Sequence, residues 1–173
     1  DIGYFFEMVY KEKMFEKWNS ATVLSYNNLE ADDCIALSVK HINSLSDGTV
    51  SNMTIITSDH DYLQLLNDNV TIYDLKYKNI LECKNVFDDP KKNLEIKIIM
   101  GDKSDNISST FTKCGIKSAI KCIENPEYFK KKVDMDIYNL NKLLIDFNSI
   151  PKELKDGFYK MFVYIKFLHS QID

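Results

Sequence analysis

The run of residues 53–57, Met-Thr-Ile-Ile-Thr, is the feature that most restricts the fold of this chain. It is rich in β-branched residues and almost continuously apolar, which predicts a buried strand. A helical pattern precedes it, from about residue 29 to residue 44, after a helix over 4–18 and a short strand over 21–26. A turn is predicted at 46–48, a short helix at 62–66, a strand at 70–75 and a third strand at 78–83. Alternating strands and helices predict an α/β fold with a mostly parallel sheet.

The later part of the chain changes character. Pro90 fits the first turn of a helix that carries Leu94, Ile98 and Met100. A polar loop follows at residues 101–106, and helical patterns then run to the end, at about 116–124, 126–133, 137–147 and 151–171. We therefore predict an α/β domain over residues 1–106 and a helical domain over residues 107–173.

The charge is divided along the chain in the same way. Residues 1–75 contain 4 Lys and 12 Asp or Glu, whereas residues 76–173 contain 18 Lys and 14 Asp or Glu. All basic residues are Lys, since the sequence has no Arg. A contact to phosphate would therefore use a lysine ammonium or a backbone N–H, because the bidentate guanidinium is not available.

The sequence indicates an intracellular protein without a membrane segment. No apolar run reaches the roughly 18 residues of a membrane span, and nothing resembles a signal peptide. The four cysteines form no Cys-x-x-Cys pair. We expect reduced thiols and no zinc site.

Carboxylates are concentrated in three short segments at the ends of predicted elements: Glu30, Asp32 and Asp33; Asp59 and Asp61; Asp102 and Asp105. Each segment alone has an ordinary structural explanation, as helix-dipole partners or turn formers. Seven gathered carboxylates would repel one another, and a divalent cation would relieve that repulsion. Oxygen ligands without paired His or Cys favour Mg²⁺ or Mn²⁺.

Three motifs around these acids occur in a characteristic order: Glu-Ala-Asp-Asp at residues 30–33, Thr-Ser-Asp-His-Asp-Tyr-Leu-Gln-Leu at 57–65, and Met-Gly-Asp-Lys-Ser-Asp-Asn-Ile at 100–107. Together they resemble the 5′→3′ exonuclease and flap endonuclease family, including its phage and large-virus members. The resemblance covers about residues 29–125. It implies a partial PIN-like or Rossmann-like sheet and Mg²⁺-dependent hydrolysis of DNA by two ions, with Mn²⁺ as a substitute.

The resemblance also implies roles for individual residues. Asp32, Asp61 and Asp102 would be catalytic. Glu30, Asp32 and Asp33 would hold one ion, and the other would be held by Asp59, Asp61, Asp102 and Asp105. The expected partner is DNA with 5′ ends or flaps, with RNA–DNA primers left open, and the expected state is a monomer.

Residues 112–119, Thr-Lys-Cys-Gly-Ile-Lys-Ser-Ala, occupy the place of the family's helix-hairpin-helix-type turn, usually Gly-Ile-Gly-Pro-Lys-Thr-Ala. The resemblance implies that Gly115, Lys117 and Ser118 contact DNA, with Lys103 as a further contact and K⁺ at the turn. Lys113 replaces the first glycine of the family pattern. That replacement calls the tight turn and the K⁺ site into question.

Two features of the family have no counterpart before Glu30: an earlier strand with a further metal-binding Asp, and a basic helical arch. We therefore expect an N-terminally truncated piece of a longer protein. A catalytically incomplete DNA-binding remnant is one alternative. A haloacid-dehalogenase-like phosphatase, with Asp59 as nucleophile and Asp61 as acid, is another. A PIN-like RNase has related chemistry.

Overall fold

The computed structural model describes residues 2–15, 17, 21–44 and 52–169, with side chains to residue 165. Seven α-helices and two strands are present in these ranges: α1 Ile2–Lys11, α2 Ala31–Ser44, β1 Met53–Ile56, β2 Val70–Tyr73, α3 Pro90–Met100, α4 Ile116–Glu124, α5 Pro126–Lys132, α6 Met135–Ile145 and α7 Lys152–His169. The predicted turn at 46–48 lies outside the described residues. None of the described helices is long and apolar enough to cross a membrane.

The two strands form a small parallel sheet. Met53 pairs with Val70 and Ile56 with Tyr73. A 3₁₀ helix, His60–Leu65, lies in the connection and begins at Asp59, whose side chain accepts a hydrogen bond from the Asp61 N–H. The α/β fold class is confirmed, and the acidic residues that follow β1 lie at its carboxyl end.

Residues from distant parts of the chain build the first hydrophobic core. Leu37 of α2 and Ile72 of β2 are fully buried in it, together with Phe147, Ile150 and Phe158 from the helical part. The His41 ring of α2 stacks on Tyr159 of α7, with centroids 5.3 Å apart. Helix α7 therefore packs back on the α/β part. The boundary at residues 106 and 107 stays a prediction.

A second core lies between the helices that follow the polar loop. Its buried members are Ile96, Ile99, Ala119, Cys122 and Val133. Four of them belong to α3 and α4, and Val133 follows the end of α5, so this core fixes the start of α4 relative to the end of α3. The end of α3 leads into the loop with Asp102, and the start of α4 carries Lys117, so predicted functional residues lie at both places.

Several local predictions were wrong. Residues 21–26 form no strand in the described part of the chain, and the third strand is instead a 3₁₀ turn, Ile80–Glu82. Helix α1 ends at Lys11, earlier than predicted, because Lys13 adopts the left-handed conformation (φ 47°). Strand β1 is only partly buried on one face, through Met53 and Ile55, and exposed on the other, where Ile56 is 55% exposed.

Candidate metal centre

The three acidic segments converge at one edge of the molecule. A cavity of about 570 Å³ is lined by residues from all three, including the carboxylates Glu30, Asp32, Asp59, Asp61 and Asp105. An adjoining cavity of about 310 Å³ is lined by Asp33 as well. Asp102 is joined to this group through Lys97, whose ammonium contacts both Asp61 and Asp102. All seven predicted carboxylates therefore lie in one region.

Each segment is held by its own local hydrogen bonds. At the start of α2, the Glu30 N–H donates to Asp33 Oδ2 at 3.1 Å and the Asp33 N–H donates to Asp32 Oδ1 at 2.9 Å. These bonds satisfy backbone donors that a helix start leaves free. Asp33 thus has a structural role as well as its predicted one.

Asp102 is held in a tight loop after α3. The backbone of Asp102 exchanges two hydrogen bonds with Ile107, at 3.0 and 2.7 Å, and its carboxylate accepts bonds from the Ser104 N–H and hydroxyl. Gly101 starts this loop with φ 68°. The Ser104 bonds, together with the Lys97 ammonium, lower the pKa of Asp102 to about 2.

The cavity is electrostatically negative. Burial, opposed in part by hydrogen bonds from backbone N–H groups and reinforced by the charges of Asp33 and Asp59, raises the pKa of Asp32. Burial and the nearby Asp32 and Asp59 likewise raise the pKa of the Tyr62 hydroxyl to about 12. Both shifts are the response of groups that lose solvent beside negative charge.

The chemistry of this donor set fits a hard divalent cation, because the carboxylates offer only oxygen atoms. Within the described residues, however, no three His, Cys, Asp or Glu side chains lie close enough together to hold a metal ion. The side chains must therefore move closer to one another to coordinate one. Lys97 lies between two of them, Asp61 and Asp102.

Sequence reasoning missed two charged residues at this site. Lys97 lies between the buried Ile96 and Ile98, and a charge within an apolar helical run is the signal that could have identified it. Asp146 lines the smaller cavity, and its carboxylate accepts hydrogen bonds from the N–H and side chain of Asn148.

The predicted DNA-contact residues lie at the surface. Lys103 is exposed in the loop between Asp102 and Asp105, and Lys117 is exposed in the first turn of α4. Gly115 is the N-cap of α4, and within the described residues no side chain makes a capping hydrogen bond there. Lys113, which stands where the family has glycine, adopts the left-handed conformation with φ 57°. The chain thus forms at Lys113 the backbone geometry that glycine favours.

Comparison with known proteins identifies the family of this chain. The family model for the 5′-3′ exonuclease N-terminal resolvase-like domain matches residues 7–102, more than half of the chain. The chain belongs to the 5′-3′ exonuclease family. A 5′-3′ exonuclease of Bacillus subtilis is 30% identical in an alignment of 141 positions that covers 75% of this chain and 40% of that protein. This family member spans less than half the length of the curated relatives it matches.

Solved structures of similar fold come from phage T5. The T5 D15 protein co-crystallised with metal ions has a TM-score of 0.72 and 24% identity, covering 94% of this chain and 70% of that one. The T5 D15 flap endonuclease in a complex with DNA and metal ions has a TM-score of 0.71 and 22% identity, covering 93% and 68%. These matches confirm that this family member has the phage exonuclease fold.

Proposed function

We propose that this protein acts as a divalent-metal-dependent 5′ nuclease that hydrolyses DNA phosphodiester bonds. It would recognise its DNA substrate by structure rather than by sequence. The observation that carries the proposal is the convergence of three acidic segments on one cavity. Carboxylate ligands and family membership support it together. The site fits phosphodiester hydrolysis better than haloacid-dehalogenase-like phosphatase chemistry. The acidic segment at residues 30–33 would bind a metal ion in a nuclease but has no role in such a phosphatase.

The carboxylates would hold the ions in two groups. Glu30, Asp32 and Asp33 form the first group, and Asp59, Asp61, Asp102 and Asp105 form the second. When bound, two divalent ions supply Lewis-acid activation of the scissile phosphate and of the attacking water. We propose Mg²⁺ for both positions, with Mn²⁺ as a substitute.

The chain itself would orient the substrate. Lys103 is exposed between two proposed ligand residues and can contact a phosphate oxygen beside the site. The N-cap Gly115 makes no side-chain capping bond to α4, and a helix N-terminus favours a phosphate. Gly115, Lys117 and Ser118 would hold a duplex phosphate there, and K⁺ would lie at the same turn. The substrates proposed are DNA 5′ ends and flaps, bound by a monomer.

Removing single carboxylates tests the proposed site. In the protein, Asp61→Asn and Asp102→Asn should each lower Mg²⁺-dependent cleavage of a 5′-flap DNA by about 10²-fold or more, because each removes a charged ligand from the proposed second ion. Fluorescence anisotropy without Mg²⁺ should show that both variants still bind the DNA. Asp136→Asn, an exposed acid on α6, is the matched control and should cleave normally.

The outcomes separate the alternatives. Full cleavage by either site variant would refute the site assignment. Duplex binding by the wild-type protein with no cleavage at any Mg²⁺ or Mn²⁺ concentration would instead identify a DNA-binding remnant.

A further inference from the structure

One lysine bridges two of the acidic segments. The Lys97 ammonium makes an ion pair with Asp61 Oδ1 and a second with Asp102 Oδ2, the latter at 2.9 Å. Asp61 follows β1, whereas Asp102 follows α3, so the two carboxylates come from parts of the chain about 40 residues apart. The side chains of Lys97, Asp61 and Asp102 are 20%, 16% and 21% exposed. This is a largely desolvated arrangement of three charges.

The position of Lys97 on α3 explains why it faces the site. Its neighbours Ile96 and Ile98 are 6% and 1% exposed, so this part of the helix is packed in the interior. Lys97 also lies in the last turn of α3, where the helix dipole favours a cation. A lysine held in such surroundings needs charged partners, and Asp61 and Asp102 supply them.

Asp61 and Asp102 would repel each other without a cation between them. The ammonium supplies one positive charge to that space, and a divalent ion would supply two. The carboxylate oxygens that contact Lys97 cannot coordinate an ion while the ammonium occupies the same space. Lys97 and the ion are therefore alternative partners of the same two carboxylates.

We propose that Lys97 is a built-in counter-ion of the metal site, which holds Asp61 and Asp102 together in the metal-free protein and is displaced when a divalent cation binds. The inference rests on the proposed metal site and adds a residue that competes with the ion. Lys97 lowers the affinity of the site for the cation, because each cation that binds must break the Lys97 ion pairs.

One substitution should have two opposite effects if Lys97 is a displaceable counter-ion. These effects distinguish that role from a lysine that only positions the carboxylate ligands. Lys97→Met keeps a long, unbranched side chain and removes the charge. It should lower the melting temperature in EDTA, because two largely buried carboxylates lose their partner. It should also tighten binding of the cation, because nothing then needs to be displaced.

The experiment compares Lys97→Met with Lys91→Met, an exposed lysine of the same helix, in the full chain. Differential scanning fluorimetry in EDTA should show a melting temperature about 3 °C or more lower for Lys97→Met than for the control. Calorimetric titration with Mn²⁺ should give a Kd about fivefold or more lower than wild type for Lys97→Met, and an unchanged Kd for Lys91→Met. Weaker or unchanged Mn²⁺ binding by a folded Lys97→Met protein would overturn the inference.

A measurement on the wild-type protein covers the case in which Lys97→Met does not fold. Acetylation of lysine amines, read by mass spectrometry, should modify Lys97 several-fold faster in Mn²⁺ than in EDTA, because displacement frees the ammonium from its carboxylates. Lys91 should react at one rate in both conditions. Equal rates at Lys97 would overturn the inference.

The nuclease assay keeps the two proposals apart. If Lys97 behaves like Lys91 while Asp61→Asn still abolishes cleavage, the counter-ion role fails and the nuclease function stands. If the wild-type protein binds no Mn²⁺ and cleaves no DNA, both proposals fail.

Discussion

The carboxamide of Asn141 donates a 2.8 Å hydrogen bond to the carbonyl oxygen of Ser108, which ties helix α6 to the end of the loop that carries Asp102 and Asp105. The same amide nitrogen donates to the carbonyl of Ile98 at 2.9 Å. Ile98 lies in the last turn of α3, where carbonyls lack an intrahelical partner. One side chain, 2% exposed, therefore satisfies two backbone acceptors beside the site.

Asn141→Leu should lower the free energy of unfolding by about 2–4 kcal/mol, because it removes both bonds and leaves two carbonyls without this donor. Urea denaturation followed by circular dichroism measures the change. Asn139→Leu, at an exposed position of the same helix, is the control and should change stability little. Equal stability of the two variants would show that water replaces the Asn141 bonds.

Gly101→Ala should destabilise the protein strongly, by about 3 kcal/mol or more, because of its backbone angle and its surroundings. Gly101 has φ 68°, and a Cβ there would collide with the backbone of Ile107 and Ser108. Gly115→Ala is the matched control, since a Cβ at Gly115 has nothing within 4 Å. Thermal unfolding of both variants tests the difference, and a tolerated Gly101→Ala would mean that the loop can rearrange.

Lys113→Gly should stabilise the protein by about 0.5–1 kcal/mol, which is unusual for a change to glycine. Lys113 has φ 57°, a conformation that costs an ordinary L-residue energy and glycine almost none. Asn106→Gly is the comparison, because Asn106 has φ 59° and asparagine already tolerates this region. Urea titrations of both should show the larger gain at Lys113. A loss there would mean that the lysine side chain contributes more than the backbone strain removes.

Lys117→Ala should weaken binding to duplex DNA about equally for all sequences and reduce the slope of log K against log salt by about 1. The reason is that Lys117, exposed at the start of α4, would neutralise one phosphate. Fluorescence anisotropy over a series of salt concentrations measures both quantities. Lys160→Ala, on α7, provides a control with the same loss of charge. An unchanged slope for Lys117→Ala would exclude a phosphate contact at this turn.

The helices of the second half were predictable because their ends are encoded locally. The side chains of Asp89, Asn125 and Asp134 each accept hydrogen bonds from backbone N–H groups at the next helix start, and Pro90 and Pro126 lie in first turns. Such caps depend on residues a few positions apart, so the sequence reveals them. The strand predicted at 78–83 failed because a local β pattern does not form a strand unless a neighbour pairs with it. Only a single antiparallel bridge, Tyr73 with Asn79, forms there in the described chain.

The sequence by itself identified the family, the α/β character and the order of the helices, since these depend on motifs and on interactions between nearby residues. The roles of the seven carboxylates stay a prediction. Tertiary structure alone decided that Lys97 bridges Asp61 and Asp102, that Asn141 binds the loop after α3, and that α7 packs on α2. Apart from the pair of Lys97 with Asp102, these contacts join residues dozens of positions apart. Their formation depends on how two hydrophobic cores pack, because packing rather than spacing along the chain sets the distance between such residues.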